Sequence, residues 1–237
     1  MGSYRLAGHL IVINYPGQEK VVRLLDELRS DVAFGSGLEI VLIDEDLEEL
    51  PAALARRGVR FVRGNPTKDE TLERAAVDQA THAIVLSRKP GDAHSDNMAV
   101  AVVLAIEARR PEIITTVECV DADAEELLRK AGTDRIVCMA RFDAHFLTSE
   151  LLHPGAQEFV DNLLSPRSDQ FLSFAPIRVD ASASFKDVAV RCRKRGHLAL
   201  GVRRAGKNYL NVSDEFTVQE PDEVISMGEA RLGELAI

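Results

Sequence analysis

The stretch His9-Leu10-Ile11-Val12-Ile13-Asn14-Tyr15-Pro16-Gly17 decides how the rest of the chain is read. Its first part is a short apolar strand, its last part a turn, and the amphipathic run 18–28 that follows reads as a helix. A second apolar strand, Leu38 to Ile43, ends on Asp44, and a third, Val59 to Val62, ends at Gly64-Asn65-Pro66-Thr67. Strand, turn, helix, strand, with a carboxylate at the tip of strand two, is the order of the nucleotide-binding half of a Rossmann sheet. There the helix N-terminus faces phosphate and the acid holds ribose hydroxyls. The glycines of G-x-G-x-x-G are missing, however: Asn14, Pro16 and Glu19 stand in their places. The scaffold points to a nucleotide, and the loop does not fit an ordinary dehydrogenase.

Outward from this unit the alternation continues. Helices are predicted over 47–57, 68–76, 92–110 and 122–130, and strands over 83–86, 113–118 and 136–138, with Pro111 and Gly132 as helix stops. Strands alternating with helices predict an α/β fold with a doubly wound parallel sheet and right-handed crossovers, placed at residues 1–140. Residues 141–165 form a helix–turn–helix crossover: one helix over 141–152, the turn His153-Pro154-Gly155, and a second over 156–164. Phe142, Phe146, Leu147, Leu151, Phe159 and Leu163 give both arms apolar faces. A short helical pair cannot bury so much apolar surface by itself. A homodimer interface and docking on the chain's own C-terminal lobe are the two readings. After a linker at 165–169, residues 166–237 read as a small α+β lobe, with strands over 171–179, 197–203, 209–212 and 224–227 and a helix over 185–193.

Composition narrows the function. The 237 residues are 46% hydrophobic and 28% charged, an ordinary globular mixture. A net charge of −9 excludes a nucleic-acid partner, which needs a basic face. No apolar run approaches the roughly 20 residues that span a bilayer, and no signal peptide is visible. Cys119, Cys138 and Cys192 lack C-x-x-C spacing and read as reduced core thiols. The polar start Met1-Gly2-Ser3 reads as an added leader, with a longer natural chain expected.

Candidate site residues cluster at strand ends. Asn14, Tyr15, Pro16 and Gly17 occupy the phosphate loop, either as a structural turn with a vestigial site or as an adenine-nucleotide loop (ADP, ATP or NAD) whose altered geometry favours a mononucleotide or adenosine moiety over NAD. Asp44 is placed to accept ribose hydroxyls; its alternative role is to solvate the strand end. Asn65, Ser87 and Arg88 close the same edge, where open α/β sheets bind ligands, and Arg88 could grip phosphate. Asp96 reads as a complement to the dipole of its helix. His145 and His153 lack metal-ligand spacing. No nucleophile with a base, no G-x-S-x-G elbow and no P-loop are present, so no catalysis is expected.

The ordered set resembles the RCK family (regulator of conductance of potassium, also called KTN or TrkA-type domains) across essentially the whole chain. The resemblance rests on Gly8 to Ile13, Ile43-Asp44-Glu45-Asp46, Gly58 to Thr67, Leu72 to Ala75, Ala83 to Leu86, Ala131 to Val137 and Phe216 to Gly228. It implies a cytoplasmic ligand-sensing gating domain of a potassium channel or uptake system, held at the inner face of the membrane through a pore in the same full-length chain. It implies dimers formed through the crossover helices, and rings of eight. Family ligands include NAD(H), ATP or ADP, cyclic dinucleotides and calcium. By resemblance, Asn65 stands where calcium-gated relatives carry an aspartate, Glu118 matches one carboxylate of the calcium site, and Val120 replaces the second. Two rivals stand beside the gating domain: a structural ring module without ligand, and a nicotinamide-dependent oxidoreductase, which would need the glycines and a catalytic residue that the sequence lacks.

Overall fold

The computed structural model describes residues 6–30, 34–35, 37–89, 91–165, 169–180 and 182–237. The chain forms two compact units, Met1–Leu151 and Leu152–Ile237, and the division falls inside the segment read as the crossover. Part of the expected 165–169 linker lies outside the described residues.

In the first unit, six strands lie in the order β3-β2-β1-β4-β5-β6, all parallel. They are β1 (Leu10–Ile13), β2 (Ile40–Asp44), β3 (Arg60–Arg63), β4 (His82–Val85), β5 (Ile114–Cys119) and β6 (Arg135–Cys138). The central strands are continuous apolar runs because helices cover both sheet faces. Alternate residues enter opposite cores. Leu10, Val12, Ile40 and Leu42 pack with Val21 and Leu25 of α1 (Gln18–Ser30) and Leu54 of α2 (Ala52–Ala55). Ile11, Ile13, Val41 and Ile43 pack with Leu72 of α3 (Asp69–Arg74) and with Val102, Val103 and Ile106 of α4 (His94–Arg109). A short α5 (Glu125–Lys130) completes this layer, and α6 (Met139–Leu152) leaves it directly from β6.

The expected helix over 47–57 shrinks to one turn. The Asp44 carboxylate bonds the backbone N–H groups of Asp46 and Leu47 and bends the chain into a turn, and Pro51 then sets the helix start.

The second unit opens with α7 (Ala156–Leu164). Its five-stranded sheet runs β10-β9-β12-β7-β13, with β7 (Phe171–Arg178), β9 (His197–Arg204), β10 (Lys207–Leu210), β12 (Glu223–Gly228) and β13 (Leu235–Ala236). The helix α8 (Phe185–Lys194) begins at a capping box in which Ser184 and Asp187 satisfy each other's backbone N–H. Phe185, Val188 and Cys192 of α8 pack on Ala175, Ile177, Val202 and Val224. A short strand β11 (Thr217–Val218) pairs with β8 (Ala183–Ser184). The two-residue β8 and β13 were not predicted, because so short a strand carries no readable period. Gly201 is required in β9: a Cβ there would lie 2.1 Å from the Tyr209 carbonyl oxygen.

His9, fully buried at the root of β1, places its ring Nε2 3.0 Å from the Ala75 carbonyl. Burial holds its pKa below the ordinary imidazole value of 6.5, and burial does the same to His82 and His197. The unfolded chain therefore takes up protons, as pH falls below about 6.5, that the folded chain resists. Stability is full above that pH and declines below it. Denaturant melts at about pH 7 and about pH 5 should show the loss, and His9→Gln should reduce the slope. A wild-type profile flat across this range would contradict the assignment.

Candidate functional site

The C-terminal ends of β1, β2, β4 and β5 converge on one crevice, at the point where the sheet order reverses between β1 and β4. Asn14 occupies the position of the first motif glycine with φ +72°. This is the left-handed conformation, which asparagine tolerates best after glycine. Its side-chain amide donates to the Leu86 carbonyl at 2.8 Å and locks β1 to β4 at the crevice floor. Gly17, at φ +147°, leads into α1, whose first turn begins at Gln18. Pro16 and exposed Glu19 flank this entry.

Asp44 is only 3% exposed. Its Oδ2 accepts the Tyr15 N–H at 2.8 Å, and its Oδ1 accepts those of Asp46 (2.9 Å) and Leu47 (2.7 Å). A carboxylate offers about four acceptor positions, so three are committed to the backbone of two loops. Asp44 builds the crevice, whereas the acid that faces it is Asp46, with a side chain 78% exposed. Arg88 crosses from the end of β4 to pair with Asp46, and lies 3.8 Å from Glu45. Arg88 and Asp46 line a cavity of about 300 Å³ with Lys89, His94 and Ser95. Ser87 is buried; its N–H donates to Glu118 Oε2 at 3.0 Å and its hydroxyl to the Lys89 carbonyl at 3.1 Å.

Sequence reasoning missed two residues. Lys20, on the first turn of α1, reaches the carboxylate of Glu118 at the end of β5. The pair spans the crevice centre and puts an ammonium group beside the phosphate loop. Asp96, read as a dipole complement, is buried and accepts the N–H groups of Val120 and Asp121, each at 2.9 Å. It fastens the exit of β5 to the start of α4. Neither contact has a local signature, since each joins residues far apart in the chain.

The calcium expectation fails on geometry. Asn65 ends β3 and Glu118 ends β5, four strand spacings apart in the sheet, or about 19 Å. Calcium ligands must lie within about 2.6 Å of one ion. The Asn65 Oδ1 instead accepts the N–H (2.8 Å) and hydroxyl (2.7 Å) of Thr67, closing a local turn. No cluster of metal-ligating side chains occurs among the described residues.

The three cysteines are free and buried. Burial, reinforced by the Asp96 carboxylate, pushes the Cys119 thiol up to about 12. No residue of α6 or α7 is buried. Phe142 stacks on Phe146 with ring centroids 5.9 Å apart, Leu147 and Leu151 are 74% and 81% exposed, Phe159 is exposed, and Leu163 is half-buried. No described helix is long and apolar enough to cross a membrane.

Comparison with known proteins gives these features a family context. The TrkA-N domain family matches residues 20–139, just over half of the chain. "Probable ion channel POLLUX" of Arabidopsis thaliana is 25% identical over 94% of this chain and 28% of its own length. "Probable potassium channel protein 2" of Methanocaldococcus jannaschii is 25% identical over 94% of this chain and 64% of its own. The chain thus spans less than two thirds of either relative. The human SLO3 gating ring shares the fold, with a TM-score of 0.70 and 20% identity over 94% of this chain and 44% of that one.

Because Asp44 holds two loops at once, Asp44→Ala should lower stability by roughly 3 kcal/mol in denaturant melts, with Asp44→Asn in between. A wild-type melt for Asp44→Ala would remove the residue from its structural role.

Proposed function

This chain belongs to the TrkA-N domain family, and we propose that it is the ligand-sensing regulatory domain of a potassium channel or potassium uptake system, not an enzyme. The observation that carries the proposal is the crevice at the β1–β4 switch point. There Lys20 and Arg88 present cations beside a phosphate loop, and Asp46 presents an exposed carboxylate at the tip of β2. The relatives named as ion and potassium channels support the channel context.

The ligand proposed is an adenine nucleotide, ADP, ATP or NAD. Its phosphates compete with Glu118 for Lys20 and with Asp46 for Arg88, which frees Asp46 to accept ribose hydroxyls. Glu118 also holds the Ser87 N–H, so drawing Lys20 away alters the tie between β4 and β5. A ligand that prefers one arrangement of this network shifts the population of domain states, and a pore joined to the domain follows. A second reading, a structural ring module without ligand, is favoured by one observation: Asp44, Glu118 and Arg88 already have partners within the chain.

The domain acts as a homodimer, and as a ring of such dimers, at the cytoplasmic face of the membrane. The exposed apolar faces of α6 and α7 support this, because a lone helix with no buried residue gains nothing from packing.

Thermal melts with ADP, ATP, AMP, NAD and NADH test the ligand. An adenine nucleotide should raise the melting temperature by mass action, and Lys20→Met and Asp46→Ala should each weaken binding roughly tenfold. No shift with any nucleotide would leave the structural module standing. Sedimentation tests assembly: the wild type should be dimeric or larger, and Leu147→Asp with Leu151→Asp should yield monomers. A monomeric wild type at all concentrations would defeat the assembly reading.

A further inference from the structure

We propose that a second ligand site, for a small organic anion, lies where α5, β6 and α6 meet. A cavity of about 370 Å³ opens at this corner, a volume in the range of small-molecule pockets. Ile136 of β6 and Phe142 of α6 give it an apolar side. Arg129 of α5 and Arg141 of α6 give it a cationic one. Both guanidinium groups converge on the carboxylate of Glu125: Arg129 Nη2 lies 2.6 Å from Oε2, and Arg141 pairs with Oε1. These three side chains sum to a single net positive charge, which the carboxylate of Asp134 on the cavity border offsets. Each guanidinium carries five N–H donors, so the two retain donors for an incoming oxyanion after satisfying Glu125. Asp134 also borders the cavity, but its Oδ2 is engaged by the N–H (2.7 Å) and hydroxyl (3.2 Å) of Thr115.

Thr133 supplies the independent observation. It lines the same cavity from the turn between α5 and β6, and it is 8% exposed. Its hydroxyl is buried and has no hydrogen-bond partner among the described residues. The large majority of buried side-chain polar atoms in folded proteins have a hydrogen-bond partner, and a ligand oxygen held by Arg129 and Arg141 would satisfy this one. None of Asn14, Asp46 and Arg88 borders the cavity, and β6 stands two strands away from β4. The site is therefore separate from the nucleotide crevice. An anion bridging Arg129 and Arg141 ties the first turn of α6 to α5. Any influence on dimerisation rests on the role proposed above for α6, but the binding itself does not.

Titration calorimetry on the full chain at low ionic strength, with inorganic phosphate and with succinate as probes, tests the site. At least one anion should bind, and more weakly as salt is added. Binding of phosphate alone identifies a phosphate-bearing ligand, and binding of succinate alone a carboxylate. Thr133→Val should weaken binding about tenfold while leaving the ligand-free melting temperature unchanged or higher, because the hydroxyl it removes has no partner to lose. Arg141→Gln should abolish binding. The proposal is overturned if neither anion binds the wild type, or if Thr133→Val and Arg141→Gln bind as the wild type does.

Discussion

A buried carboxylate that must find donors organises the ligand-facing edge of the first unit. Asp44 ends a strand whose other residues are wholly enclosed, so its charge cannot be left to water. It is stabilised by the N–H groups of Tyr15, Asp46 and Leu47. Those bonds fix the loop after β1 and the turn after β2 relative to each other. Helix α1 starts where that loop delivers it, and Lys20 then lies within reach of Glu118. The shortened α2 has the same cause, since the turn around Asp44 uses the residues that periodicity assigns to a helix.

The crevice carries its own counter-charges. Lys20 is matched by Glu118, and Arg88 by Asp46. The Arg88–Asp46 pair, with its acidic side chain 78% exposed, contributes little to stability, because water screens it and ordering long side chains opposes it. It is correspondingly easy to exchange for a ligand that brings phosphate and hydroxyl groups together. A site built this way is held by its own ion pairs without a ligand, and on the proposed reading its response to ligand depends on a difference between two sets of similar interactions.

The crossover helices pose a different physical problem. The strands β1 and β2 are buried throughout, yet α6 leaves the edge strand β6 with aromatic and leucine side chains facing water. Covering such a face with another surface would remove that apolar area from water. The corner with Arg129, Thr133 and Arg141 lies at the root of the same helix, so both open questions about the first unit, what covers α6 and what fills the cavity beside it, concern one element.

The sequence by itself determined the six strands of the first sheet, most of the helices and the alternation that makes that sheet parallel, because burial demands apolar runs and each run is local. It also located the crevice edge: Asn14, Gly17, Ser87 and Arg88 all lie there. Only the tertiary structure decided which groups face a ligand. Asp44 and Asp46 are equivalent in composition, but one is enclosed by two loops and the other is left in solvent. Lys20 and Glu118 are 98 positions apart and meet only because β1 and β5 share a sheet, while Asn65 and Glu118 are kept apart by that same strand order. Hydrogen-bond satisfaction and charge pairing depend on which chain ends the sheet brings together, and no spacing along the chain encodes that.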